Sequence, residues 1–183
     1  MLIYSLIASL DGYVADADGE WGWSRPDEEV HSFINDLERQ LRTHLYGRRL
    51  YEVLRAWEDM DVTNQPSYIA DFKEIWRGAD KIVFSTTLAE VTTGRTQIER
   101  DFDPEMIQRL KEKTQHDILI GGPELAAQAI RARLVDELHL LLAPVVVGGG
   151  KKALPEGLRL DLELSDERRF GNGTVYLRYG IAA

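Results

Sequence analysis

Apolar residues along this chain switch between short continuous runs and a helical spacing, and the switching lays out a series of elements. Leu2-Ile3-Tyr4-Ser5-Leu6-Ile7-Ala8 reads as a buried first strand. Residues 26 to 42 then place Val30, Phe33, Ile34, Leu37 and Leu41 on one helical face, after Ser24, Pro26 and Asp27, which supply helix-start chemistry. His44-Leu45-Tyr46 predicts a short strand ending at Gly47, and Arg48 to Trp57 a second helix. Lys81-Ile82-Val83-Phe84-Ser85 is a compact strand closed by Thr86-Thr87. A third helix is expected from about Pro104 to Lys113, with Met106, Ile107 and Leu110 inward, followed by the strand Asp117 to Ile120. Gly121-Gly122-Pro123 breaks that strand into a fourth helix reaching about Arg133. Glu137 to Leu142 is a strand again, and two more, near 158–164 and 175–181, flank the turn signal Gly171-Asn172-Gly173.

Strands separated by helices predict an α/β fold with a central, mostly parallel sheet covered by helices on both faces. The last two strands, joined without a helix, predict an antiparallel C-terminal end. No internal repeat, low-complexity tract or long linker divides the chain, so residues 1–183 read as one domain. Ligands of such sheets sit beyond the carboxyl ends of the strands. That rule selects Gly47-Arg48-Arg49, Ser85-Thr86-Thr87 and Gly121-Gly122-Pro123.

Composition narrows the function classes. The formal net charge of −9 repels polyanions, which argues against nucleic acid as a general partner. Zero cysteines remove disulfides, thiolate metal sites and cysteine nucleophiles, and His31, His44, His116 and His139 show no metal-ligand spacing, so no metal is expected. The first residues lack the basic region and cleavage site of a signal peptide. The longest apolar stretch, Leu138 to Val147, is broken by His139 and Pro144 and falls short of the roughly 20 residues of a membrane helix. The expected location is cytoplasmic, with no membrane partner.

Several positions carry candidate chemistry. Gly121-Gly122 ends a strand and opens a helix, where backbone N–H groups and the helix dipole suit an anion; the alternative is a plain strand-to-helix turn. Gly148-Gly149-Gly150-Lys151 resembles a phosphate loop but has Val145 in place of the first glycine and Lys152 in place of Ser or Thr, so it reads as a mobile turn after Pro144. Arg48 and Arg49 offer guanidinium forks to phosphate oxygens, unless they pair with Glu52 or Asp59. Trp21 and Trp23, two residues apart in the loop Asp18-Gly19-Glu20-Trp21-Gly22-Trp23, either cover a flat ring in a substrate pocket or pack on the first helix. Ser5, Ser9 and Ser85 lack the G-x-S-x-G elbow of a hydrolase.

Five segments, in order, resemble the dihydrofolate reductase superfamily: Leu6 to Ala15, Tyr46 to Glu52, Lys81 to Leu88, Ile120 to Leu125, and Leu134 to Leu138 with Ala143-Pro144-Val145. The branch they are most similar to is the stand-alone relatives of the reductase domain in bacterial riboflavin deaminase-reductases. The resemblance implies an NADPH-dependent reductase of a small heterocycle, pterin-like or ribosylaminopyrimidine-like, and a homodimer. The alternative is an NADP-binding sensor or interaction module without turnover. The implied cofactor contacts are Ala8, Val14, Ala15, Gly47, Arg48, Arg49, Ser85, Thr86 and Gly121-Gly122-Pro123-Glu124-Leu125, with Arg48 and Thr86 at the 2′-phosphate. In folate reductases a carboxylate at the start of the first long helix holds the pterin, which points to Asp27, Glu28 and Glu29; these acids also suit a helix N-terminus. Asp11 matches a Leu-Asp-Gly motif of the stand-alone branch and either orients substrate or caps its turn, so Asp11, Glu28 and Glu29 are the catalytic candidates. Two departures from the family pattern are Leu50, where a threonine is usual, and Glu124, where a basic residue is common.

Overall fold

The computed structural model describes residues 1–182. Among them, the main sheet has eight strands. In spatial order these are β5 (Thr96–Glu99), β4 (Asp80–Phe84), β3 (Thr43–Gly47), β6 (Ile118–Gly121), β1 (Leu2–Ser9), β7 (Glu137–Ala143), β10 (Val175–Ile181) and β9 (Leu162–Arg169). The first six run parallel, and β10 and β9 are added through antiparallel pairings, as the element order predicts. A two-stranded ribbon pairs β2 (Tyr13–Ala15) with β8 (Lys151–Lys152).

Side-chain alternation divides the core between the two faces of the sheet. On one face Leu2, Tyr4, Leu45, Ile82, Ile120 and Leu138 meet α4 (Pro104–Lys113) and α5 (Pro123–Arg131) through Ile107, Leu125, Ala126 and Ile130. On the other, α1 (Glu28–Glu38) covers Leu141 and Tyr176 with Val30, Phe33, Ile34 and Leu37. Tyr46, Val83 and Leu119 pack on that same face against α2 (Arg48–Leu54) through Leu50, Tyr51 and Leu54.

The observed boundaries differ from the residue pattern in places. The first helix stops at Glu38, and Leu41 belongs to the turn into β3. The second helix ends at Leu54 and tightens into a 3₁₀ turn over Arg55–Trp57. An unanticipated helix, α3 (Ser67–Gly78), packs on α1 and buries Phe72 and Trp76. All four histidines bond within the protein. His44, fully buried, must donate from Nε2 to the Leu41 carbonyl (2.6 Å), which leaves Nδ1 to accept from Tyr46 Oη (2.7 Å). His31 meets Asn35, His116 meets Thr43, and His139 meets Glu137.

Strand register creates a step in the sheet edge. The β1–β6 pairing runs to Tyr4↔Ile120, whereas β1–β7 continues to Ser9↔Ala143. Ser9 therefore stands about 13 Å beyond the level of Gly121, and the β6-side backbone edge of residues 6–9 has no strand beside it. Across the step, Tyr46↔Gly121 and Gly47↔Phe84 bring the ends of β6, β3 and β4 to one level.

Candidate functional site

The lower side of this step holds all three loops that the strand-end rule selects. Gly122, at φ +90°, turns the chain from β6 into α5, a conformation that favours glycine. An ideal Cβ at Gly121 would lie 2.6 Å from Leu50 Cδ2 and 3.2 Å from the Tyr46 ring. The glycine is thus required by the chain's own packing: Leu50 and the Tyr46 ring occupy the side of Gly121 on which a Cβ would stand. The phosphate explanation is not needed for Gly121.

The neighbouring corner Gly47-Arg48-Arg49 opens α2, with both guanidinium groups on the surface. Arg48 approaches Glu52 only to 4.0 Å, while Arg49 Nη1 lies 3.5 Å from Glu124 Oε1. Such exposed pairs bind weakly and exchange readily. On β4's loop, Ser85 is buried and its Oγ accepts the amides of Thr87 (3.2 Å) and Leu88 (2.9 Å). Ser85 therefore shapes the turn, and Arg100 braces it by donating to the carbonyls of Ser85 and Leu88. Thr86, beside it, is exposed. Pro123 and Leu125 belong to the first turn of α5, where Leu125 is buried in the core.

The high side of the step is a clasp between the loops after β1 and β7. Asp11 accepts the amides of Gly148 at Oδ2 (2.8 Å) and Val147 at Oδ1 (3.2 Å). The Ser9 hydroxyl, with those amides, holds the Asp11 carboxyl below its ordinary value, so it is ionised at neutral pH. Tyr13 and Ala15 pair with Lys152 and Lys151, and Gly150, at φ +127°, packs against the Ala15–Asp16 backbone. The glycine-rich stretch is thus not simply a free turn after Pro144. A cavity of about 440 Å³ opens beside the clasp, lined by Ala8, Asp11, Tyr13, Leu140, Leu142 and Lys152 among others, on the sheet face away from α1.

The remaining candidates lie elsewhere. Asp27 caps α1 by accepting the Val30 amide (3.0 Å), and Glu28 is exposed on the first turn. Glu29 accepts the Gly171 amide (3.0 Å) and meets Arg168 (3.2 Å), tying α1 to the β9–β10 hairpin; the Gly171 amide, then Arg168, lowers its pKa. Asp11 and Glu29 are therefore engaged at separate places in the fold. Trp23 is half-buried and donates from Nε1 to the Glu20 carbonyl (3.1 Å), and Trp21 is 46% exposed, while the rings that meet Phe33 of α1 are those of Phe170 and Tyr176. Val14 lies between Tyr13 and Ala15 on β2. Lys151, at the end of the glycine-rich stretch, reaches Glu124 Oε1 with its Nζ at 2.7 Å. No sequence spacing reports that contact, because Lys151 is placed by its strand pairing with Ala15, far away along the chain. Among the described residues no group of three His, Cys, Asp or Glu side chains could hold a metal, and no helix is long and apolar enough to cross a membrane.

Comparison with known proteins fits this architecture. The RibD C-terminal domain family matches residues 1–176. The chain is 31% identical to the uncharacterized protein YyaP of Bacillus subtilis (strain 168), over 97% of this chain and 93% of that one. A protein from Shewanella sp. PV-4, provisionally assigned to riboflavin biosynthesis, superposes with a TM-score of 0.77 at 20% identity, covering 100% and 99% of the two chains. The diaminohydroxyphosphoribosylaminopyrimidine deaminase/5-amino-6-(5-phosphoribosylamino)uracil reductase of Thermotoga maritima gives a TM-score of 0.69 at 12% identity; this chain is covered completely but spans 56% of that protein. At these identities the structural likeness is one of fold. The match along nearly the whole chain is one of family: the chain belongs to the RibD C-terminal domain family, with the dihydrofolate reductase-like fold.

Proposed function

We propose that this protein is an NADPH-dependent reductase of a small heterocycle, pterin-like or ribosylaminopyrimidine-like. The observation that carries the reading is the stepped sheet edge, which gathers Arg48, Arg49, Thr86 and the Gly121-Gly122 turn at one level beneath a free strand edge at Ala8. The donor set suits the cofactor's anionic end: guanidinium groups, a hydroxyl and α5 amides collect on a chain whose net charge is −9. Arg48 and Thr86 would hold the 2′-phosphate, the turn and Arg49 the diphosphate. Ala8 and the segment from Val14 to Trp23 would border the nicotinamide. When bound, NADPH supplies the hydride, so the chain's task is positioning and electrostatics.

Ionised Asp11 can accept a hydrogen bond from a substrate N–H but has no proton to donate, so its role in this reading is orientation. Changing Asp11 to Asn is expected to slow turnover without unfolding, more than Glu28→Gln or Glu29→Gln does singly, as followed by NADPH oxidation and circular dichroism. Equal losses at the three positions would remove Asp11 from this role.

A 2′-phosphate is absent from NADH, so Arg48 gives the sharpest test of the cofactor. A charge-assisted contact of about 1.5–3 kcal/mol corresponds to roughly 10- to 100-fold in affinity. Calorimetry should find NADPH preferred over NADH by about that factor, and Arg48→Ala should weaken NADPH far more than NADH. Equal affinities in the unmodified protein would overturn the assignment of Arg48 and Thr86. One observation favours the second reading, a binding module without turnover: Asp11 and Glu29 both spend carboxylate oxygens on backbone amides. NADPH binding with no oxidation across a panel of pterins and pyrimidines would select it.

The homodimer belongs to the same proposal. On the face opposite α1, Leu140 and Leu177 stand in register, as do Tyr179 with Leu164 and Ile181 with Leu162. Leu162 and Leu164 are 39% and 48% exposed, with Leu154 and Leu158 exposed as well. Exposed leucines beside this apolar strand face suit a partner, and a second copy is the occupant we assign to it.

A further inference from the structure

One carboxylate joins the loops around the step. Glu124, in the first turn of α5, places Oε1 3.5 Å from Arg49 Nη1 and 2.7 Å from Lys151 Nζ. Arg49 comes from the corner after β3, and Lys151 arrives on β8, delivered by its pairing with β2 and by the turn at Gly148-Gly149-Gly150. Two cations from distant parts of the chain are thus gathered at the start of α5, beside the Gly121-Gly122 turn. Their present counter-ion is a carboxylate whose side chain is itself largely exposed.

We propose that Glu124 is an internal stand-in for the cofactor's diphosphate: it holds Arg49 and Lys151 at the turn, and binding proceeds by exchange of Glu124 for the phosphate oxygens. Lys151 is then a diphosphate ligand, and Glu124 a brake on affinity. The inference rests on the cofactor reading above and deepens it. The exchange is favoured in direction because a diphosphate carries more charge than one carboxylate and presents several acceptors to the same two cations and to the α5 amides. It is reversible because exposed ion pairs of this kind hold their partners weakly. Glu124 also explains how a basic cluster persists without a ligand in an acidic protein. The carboxylate neutralises the cluster, and the hydrogen bond from Lys151 lowers the pKa of Glu124 in return.

Calorimetric titration with NADPH and with inorganic pyrophosphate, at several salt concentrations, tests this on the whole chain. Glu124→Gln is expected to bind both probes about 3- to 10-fold tighter, with a steeper salt dependence, because two cations are released to the ligand. Lys151→Ala should bind both about 3- to 10-fold more weakly, and adding Lys151→Ala to Glu124→Gln should cancel most of the gain. Thermal melts confirm that each variant is folded; the pair lies at the surface, with Glu124 exposed and Lys151 half-buried, so the midpoint is not expected to shift much. If the unmodified protein binds NADPH but Glu124→Gln leaves affinity and salt slope unchanged, the exchange is wrong and the cofactor reading stands. If neither the unmodified protein nor Glu124→Gln binds NADPH or pyrophosphate, both are wrong.

Discussion

Replacing Leu162 and Leu164 together by aspartate is expected to convert a dimer into folded monomers. Both leucines sit on β9, the last strand of the sheet, and point to the face that carries Leu140, Leu177 and Tyr179. The edge of β9 is a poor place for a second sheet to add, because Asp166, Glu167, Arg168 and Arg169 crowd it with charge. Its leucine face is the better contact, and two-fold packing of face on face doubles every substitution. Fully burying a leucine is worth about 1.5–3 kcal/mol. With a little under half of each side chain left to bury, four leucines lost across the two-fold weaken association by about 3–5 kcal/mol, roughly 100- to 5,000-fold, before the cost of setting four carboxylates in the contact. The cost to the monomer is small, since both positions already face solvent in the isolated chain. Light scattering at micromolar concentration should show twice the chain mass for the unmodified protein and the single mass for the variant, with unchanged circular dichroism. A monomeric unmodified protein would sink the proposal.

The leucine face shows where the residue pattern is readable and where it is not. Strands buried on both faces, such as Leu2–Ser9 and Ile118–Gly121, announce themselves as continuous apolar runs. So does α1, whose apolar spacing and Asp27 cap are both local. β9 is legible only at its start: the strand expected near 158–164 begins at Leu162, and after Leu164 it continues through five polar residues to Arg169 and takes its strand geometry there from β10 alone. β5 is a four-residue edge strand with Ile98 as its one large apolar residue, so pairing with β4 rather than pattern defines it. α3 does carry a local signal, Ile69, Phe72 and Trp76 at helical spacing after Pro66. At the candidate site the glycine turns and Arg48-Arg49 are sequence-local and legible. The partners of Asp11, Glu29 and Glu124 are not, since Gly148, Gly171 and Lys151 reach them only through tertiary folding.

Gly150→Ala is expected to cost the protein about 3 kcal/mol or more, a fall of roughly 6–12 °C in melting temperature. Gly150 has φ +127°, which L residues rarely adopt. A Cβ there would lie 2.2 Å from the Ala15 carbonyl oxygen and 2.4 Å from the Asp16 carbonyl carbon. These are backbone atoms, so no rotamer change relieves the overlap; the clasp between the β1 and β7 loops must open instead. Gly149 is the control. Its φ is ordinary and nothing lies within 4 Å of an added Cβ, so Gly149→Ala should change stability by less than about 1 kcal/mol. The clasp also fixes the chain that leads, through the Asp16 turn, to Trp21 and Trp23, since Asp16 Oδ1 accepts the amides of Asp18 and Glu20. Opening it should therefore weaken NADPH as well as lower the melting temperature, whereas Gly149→Ala leaves both in place. A Gly150→Ala protein with an unchanged melt would mean that the two loops are not packed against each other, and the border drawn for the nicotinamide at Val14 to Trp23 would fall with the clasp.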